Sequence, residues 1–157
     1  MSSIDPPSAE SSELPPGVAF RGATAADAPE LHALLRPYVM QRKLLARTEA
    51  ELVELTRHGF VAELDGKLIG FSAVEIYSPK LAELQSLAVH HDYRGVGIGH
   101  RLVELCVRRA KELGVMEILA ISASEDFLRS CGFDYSLPDQ KKALFCQLRP
   151  RPKDLLD

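Results

Sequence analysis

Apolar residues follow two rhythms along this chain, one helical and one strand-like, and the two alternate. Leu31, Leu34, Leu35 and Val39 recur at steps of three and four, the spacing of one helix face. Asp27-Ala-Pro-Glu30 ahead of them supplies a capping Asp, an early Pro and an acid three residues on. A helix is therefore predicted from about Thr24 or Asp27, after a short strand over residues 18–22. Thr48-Glu-Ala-Glu51 is a capping box, opening a second helix through Leu52 and Leu55 that stops near Gly59. Residues 60–64 and 68–77 read as strands joined by Asp65-Gly66, a pair that tolerates the positive φ of a tight hairpin. Residues 81–89 form the next strand. A glycine-rich run, Arg94 to Gly99, then opens a long helix to about Leu113 with the stripe Ile98, Leu102, Leu105/Cys106, Ala110 and Leu113. A strand over 116–122, a short helix over 125–130 and a last strand over 142–148 complete the pattern. Hairpin strands leading into a strand–helix–strand unit predict an α/β fold of the α+β type, a mixed and mostly antiparallel sheet with flanking helices.

Composition sharpens this picture. The chain has 157 residues, enough for one domain. Residues 1–16 hold two Pro-Pro pairs and few large apolar side chains, so they are expected to be a disordered tail, with 150–157 a shorter one and 17–149 the folded unit. The net charge is −3, and three acids (Asp5, Glu10, Glu13) precede the first basic residue, Arg21, so the remainder is neutral. A neutral domain has no bulk attraction for nucleic acid or anionic lipid, and neither is expected as a partner. There is no run of about 20 apolar residues to span a membrane and no secretory-signal pattern. Cys106, Cys131 and Cys146 are odd in number and lack a CxxC, which fits reduced thiols in a cytoplasmic protein, a monomer or homodimer.

The chemistry concentrates in Arg94-Gly-Val-Gly-Ile-Gly99. Glycines at alternate positions let backbone N–H groups approach a ligand, and the first N–H groups of a helix lack internal partners. That helix end favours anions, yet Arg94, His100 and Arg101 surround it with no acid before Glu104. Either a phosphate or pyrophosphate binds there, or the segment is a glycine-rich turn beside a solvated Arg. It is neither a P-loop, which needs GxxxxGK[ST], nor a dinucleotide fingerprint, whose third glycine would fall at His100.

With Leu87-Ala-Val-His-His-Asp-Tyr93 before it, this run resembles the acetyl-CoA-binding core of GNAT-superfamily N-acetyltransferases. Arg94-x-x-Gly97-x-Gly99 matches their R/Q-x-x-G-x-G/A motif at every position, and Gly132-Phe133 matches a common Gly-Phe after the short helix. The likeness covers about residues 18–148. It implies acetyl-CoA as co-substrate and no metal. It also implies a pantetheine and acetyl site on the backbone of Leu87, Ala88 and Val89, and a pyrophosphate site on Arg94, Gly95, Val96, Gly97, Ile98, Gly99 and His100. A strand N–H near Leu87 or Ala88 would face the acetyl oxygen.

An amine acceptor is an ammonium at neutral pH and must lose a proton before it attacks. Glu83 is the candidate base, at the spacing from the loop motif that histone-type members of the superfamily use; Glu75 on the neighbouring strand is the fallback. Strand alternation puts Glu83, Gln85, Leu87 and Val89 on one face and Leu84, Ser86 and Ala88 on the other. The family often places a Tyr acid four residues before the Gly of Gly-Phe, but here that position is Leu128, leaving Tyr135, Cys131 or water. His90-His91 lacks a third metal ligand in sequence and is expected to be a solvated loop. Arg108-Arg109 is expected on a solvated helix face, and Arg129 is a candidate contact for a cofactor phosphate.

The segments around Leu44–Thr48, Phe60–Glu63 and Leu81–Val89 are also similar to the acetyltransferase domain of N-acetylglutamate synthases. That likeness implies a small amino-acid-like amine, with Arg47 clamping its carboxylate. The segment from Ser122 to Leu128 departs from it by lacking a second Arg. A protein or peptide N-acetyltransferase and an inactive acyl-CoA-binding sensor or interaction domain are the alternative readings.

Overall fold

Asp65 and Gly66 both have positive φ, 51° and 77°, and close strand β2 (Gly59–Leu64) onto β3 (Lys67–Ile76) as the sequence predicts. The computed structural model describes residues 13–122, 124–135 and 144–150. Among the described residues, five strands lie in the order β1-β2-β3-β4-β5, with β1 at Ala19–Gly22, β4 at Leu81–Val89 and β5 at Glu117–Ala120. All neighbours are antiparallel except β4 and β5, which are parallel. Helices α1 (Ala28–Met40) and α2 (Glu49–Thr56) cover one face, burying Leu31, Leu35, Leu52 and Leu55 against Val61, Phe71 and Ala88. Helices α3 (Ile98–Glu112) and α4 (Glu125–Ser130) cover the other, where Val103, Cys106 and Leu128 meet Val74 and Leu84. Residues 68–74 of β3 are buried on both faces, which explains why its sequence is apolar at nearly every position, Ser72 excepted, rather than alternating.

Local signals set the helix ends. The Thr48 hydroxyl accepts from the Glu51 N–H at 3.1 Å, the capping contact expected there. Gly114, at φ 76°, closes α3, and Val115 N–H reaches back to Ala110 O at 3.0 Å. Leu113 therefore lies beyond the helix and is exposed, not part of the buried stripe.

Asp27 does not cap α1. A 3-10 turn over Ala25–Asp27 precedes the helix, and the Asp27 carboxylate takes the Thr24 N–H at 2.8 Å and the Arg21 guanidinium at 2.8 and 2.9 Å. The Arg21 hydrogen bond holds the Asp27 carboxyl down at about 2. A carboxylate depressed in the folded state adds stability above its ordinary value near 3.8, and that contribution fades as pH falls towards about 2. Urea midpoints of wild type and Asp27→Asn should therefore differ at pH 5 and converge near pH 2. A constant difference would remove Asp27 from the acid response.

One irregularity shapes β4. Ala73 pairs with Gln85 and Phe71 with Ala88, so Ser86 and Leu87 together oppose Ser72. Ser86 adopts φ 57° to make this bulge. The bulge overturns the simple alternation. Glu83, Gln85 and Ala88 share the α1–α2 face, whereas Leu84, Leu87 and Val89 pack towards α3. The β4–β5 ladder ends at Leu84–Ala120, so among the described residues no strand lines β4 on that side from Gln85 onward.

The last predicted strand does not appear. Residues 144–148 are irregular, with Leu144, Phe145 and Leu148 exposed, and 142–143 lie outside the described residues. Most of the two predicted tails, 1–12 and 151–157, also lies outside them.

Candidate active site

A short 3-10 turn (His91–Tyr93) carries the chain from β4 into the glycine-rich run. Gly97 sits at the N-cap of α3 with φ 95°, a left-handed conformation that L side chains resist. Gly99 lies against α4, where an added Cβ would come 3.2 Å from Phe127 Cζ. The first turn of α3 contains no acid. The expected flanking cations are all present but differently employed. Arg94 stacks over the Tyr38 ring at 5.0 Å, and the Tyr38 hydroxyl donates to the Val89 carbonyl. His100 Nε2 is 2.8 Å from Ser130 Oγ, and Arg101 turns back onto Glu104 at 2.9 Å. The cradle is thus built mainly from backbone N–H groups at a helix start, a donor set suited to a diphosphate.

Beside it, the segment carrying Leu87, Ala88 and Val89 follows the bulge. Ala88 is buried under α1 and α2, while Leu87 and Val89 are half-buried towards α3. Its edge on the β5 side has no strand partner among the described residues, so its backbone groups can pair with an extended ligand.

On the α1–α2 face the two candidate bases stand directly opposite each other, Glu75 on β3 and Glu83 on β4. The Tyr77 hydroxyl donates to Glu83 Oε1 at 2.6 Å. Gln85 Nε2 donates to Glu75 Oε2 at 2.6 Å and approaches Tyr77 Oη at 3.0 Å and Glu83 Oε1 at 3.3 Å. Arg47, on the segment entering α2, donates from Nη2 to Gln85 Oε1, and its Nη1 lies 3.9 Å from Glu51. Its side chain is only 18% exposed, so it is a component of this face rather than a surface residue. An open cleft of about 530 Å³ runs from Arg47 and Glu75 past Leu55 to Arg57 and His58. Burial, with Arg109 and Arg57 nearby, holds the His58 imidazole below its ordinary range.

The structure joins Arg47 to both candidate bases, and the connecting residues, Gln85 and Tyr77, are the ones the sequence reading gave no role. Alternation had placed Gln85 beside Glu83, which was the available signal. Tyr77 had none.

Other candidates resolve differently. Leu128 is buried in the α3-side core, so α4 offers no phenol at that position. Tyr135 donates to Glu125 at 2.6 Å and Arg129 stacks over its ring at 4.9 Å, with Asp134 3.7 Å from the same guanidinium. Cys106 is fully buried, and burial pushes its thiol up to about 12, as a core residue requires. Burial also raises the Cys131 thiol. The Arg108–Arg109 expectation holds for Arg108, exposed beside Glu104; Arg109 buries its Nε without a partner. Asp92 does join His90 and His91, with donor atoms within 4.8 Å, because the 3-10 turn folds it back. His90 Nδ1 is already used there, accepting the Asp92 N–H at 3.2 Å.

Residues 27–133 match the Acetyltransferase (GNAT) family. The chain belongs to this family. Like other GNAT enzymes it is an acetyl-CoA-dependent N-acetyltransferase, and the glycine turn beside a strand edge unpaired among the described residues is compatible with that co-substrate. It is 34% identical over 113 residues to an uncharacterized N-acetyltransferase of Chlorobaculum tepidum, covering 72% of this chain and 73% of that protein. It is 32% identical over 129 residues to the amino-acid acetyltransferase of Pasteurella multocida, covering 78% of this chain but 29% of that protein. Among solved structures, the N-acetylglutamate synthase of Neisseria gonorrhoeae, complexed with coenzyme A and N-acetyl-glutamate, superposes with a TM-score of 0.68 at 28% identity. That match spans 72% of this chain and 27% of the synthase. The chain therefore corresponds to less than a third of these two larger relatives.

Proposed function

We propose that this enzyme acetylates the primary amine of a small, carboxylate-bearing acceptor, an amino acid such as glutamate, with Glu83 as general base. The observation that carries the reading is the hydrogen-bonded line from the Arg47 guanidinium through Gln85 to the carboxylates of Glu75 and Glu83. One end suits an acceptor carboxylate and the other an acceptor ammonium, the two charges of an amino acid. The amino-acid acetyltransferase relatives support the same class.

Bound acetyl-CoA supplies an activated thioester carbonyl. The N–H groups of Gly95 through His100 hold its diphosphate, and the backbone of Leu87 to Val89 pairs with its pantetheine arm. A strand N–H at Leu87 or Ala88 faces the acetyl oxygen, a contact typically worth about 3–4 kcal/mol of barrier. Glu83 takes the ammonium proton, and Glu75 is the neighbouring acceptor.

Thiol release from acetyl-CoA over a panel of amino acids, their amides and short peptides tests the class. Arg47→Ala should raise KM for carboxylate-bearing amines about 10–100-fold, the loss of a charge-assisted contact, and raise it far less for their amides, which lose only the support that Arg47 gives Gln85. Preference for peptides would favour a protein acetyltransferase, a reading that the mixed charges of the cleft do not support. The buried Leu128, where the family's phenol is missing, favours a second reading as an acyl-CoA sensor. Binding of acetyl-CoA without turnover on any amine would establish that one.

A further inference from the structure

Glu75 and Glu83 form a cross-strand pair of like charges, which costs stability in an antiparallel ladder. The fold retains the pair and surrounds it with neutral donors. Each donor is oriented by the rest of the chain. Arg47 occupies the Gln85 carbonyl, which fixes the amide nitrogen towards the acids. That nitrogen has two protons; one serves Glu75 at 2.6 Å and the other points between Tyr77 Oη and Glu83. The Tyr77 hydroxyl has one proton, and its shortest contact is Glu83 at 2.6 Å. The 3.4 Å approach of Tyr77 to Glu75 is too long to compete.

We infer that Tyr77 and Gln85 are positioning residues that hold Glu83 and Glu75 side by side, Tyr77 serving Glu83 and Gln85 serving Glu75. Burial first, and the Glu83 carboxylate next, push the Tyr77 phenol above its ordinary range. It therefore keeps its proton and donates it to the Glu83 carboxylate. Through Gln85 the pair is also tied to Arg47, so the group that recognises an acceptor carboxylate and the groups that receive the ammonium proton share one hydrogen-bond network. This deepens the proposed function and rests on it only for the consequence in turnover; the network itself is read from the side-chain geometry.

The test follows the glutamate carboxyl signals by carbon-13 NMR, pH 3 to 8, in the ligand-free chain. Tyr77→Phe should move one midpoint upward by about 0.5–1 pH unit, because a hydrogen bond to the charged form is lost. The signal that moves should be the one that vanishes in Glu83→Gln. Gln85→Met should move the signal that vanishes in Glu75→Gln. The other groups bordering the cleft (Arg47, Glu51, Glu54, Arg57 and His58) are unchanged in the Tyr77 variant, so the shift reports on the phenol. Tyr77 is about half exposed, and far-UV circular dichroism checks that its Phe variant keeps the fold. Superimposable wild-type and Tyr77→Phe titrations would overturn the inference. If the midpoints move but Glu83→Gln keeps full turnover, the network stands and the base assignment fails.

Discussion

Glu83→Gln should lower turnover at pH 7 by about 10²–10⁴-fold, the usual contribution of a positioned base, and should recover part of that loss above pH 9. The acceptor arrives as an ammonium, and no lone pair is available until a proton leaves. Glutamine keeps the shape of the side chain but cannot accept that proton. Raising the pH deprotonates the amine in solution, so the variant depends less on the missing carboxylate as conditions become alkaline. Affinity for acetyl-CoA should stay within about twofold of wild type, since Glu83 faces the α1–α2 side while the cradle lies beyond the Ser86 bulge. Glu75→Gln is the informative companion. If Glu83 is the base, Glu75→Gln acts mainly through the orientation of its neighbour and costs less. The reverse order would move the role to Glu75, and unchanged rates in both variants would take this pair out of the chemistry. Initial rates of thiol release between pH 6 and 10, at saturating acetyl-CoA, distinguish these outcomes.

What could be read ahead of the structure was local. The Asp65-Gly66 hairpin, the Thr48 cap and the α4 boundaries depend on residues a few positions apart, and each appears where the pattern put it. The glycine turn at Gly97 was legible for the same reason, since a left-handed residue ahead of an amphipathic helix calls for glycine. The Ser86 bulge was not, because a non-glycine residue at φ 57° is stabilised by the ladder it sits in rather than by its own preference. That single unseen residue assigned Leu87 and Val89 to the wrong face. The reach of Arg47 to Gln85 spans 38 positions and depends on α2 docking onto the sheet. The run Leu144-Phe-Cys-Gln-Leu148 shows the opposite error, since strand-like composition alone does not make a segment pair.

Gly97→Val should weaken acetyl-CoA binding by about 100-fold or more while leaving the domain folded, as isothermal titration calorimetry and thermal unfolding can show together. Gly97 holds φ 95° at the start of α3, and a β-branched residue strongly disfavours that region. The loop then has two options. It can keep its course, at a strain cost of about 1–3 kcal/mol, or it can relax and turn its N–H groups away from the diphosphate. Charge-assisted hydrogen bonds contribute about 1.5–3 kcal/mol each, so losing two of them reaches the stated factor. The body of α3 is anchored independently by Ile98, Leu102, Val103 and Cys106, all buried, and this is why the defect should remain local. Gly97→Ala separates strain from bulk, because it meets the same φ with a single methyl group and should fall between the two. Wild-type affinity in a folded Gly97→Val protein would mean that the diphosphate is not held by this helix start. The backbone site on β4 would then have to bind acetyl-CoA without it.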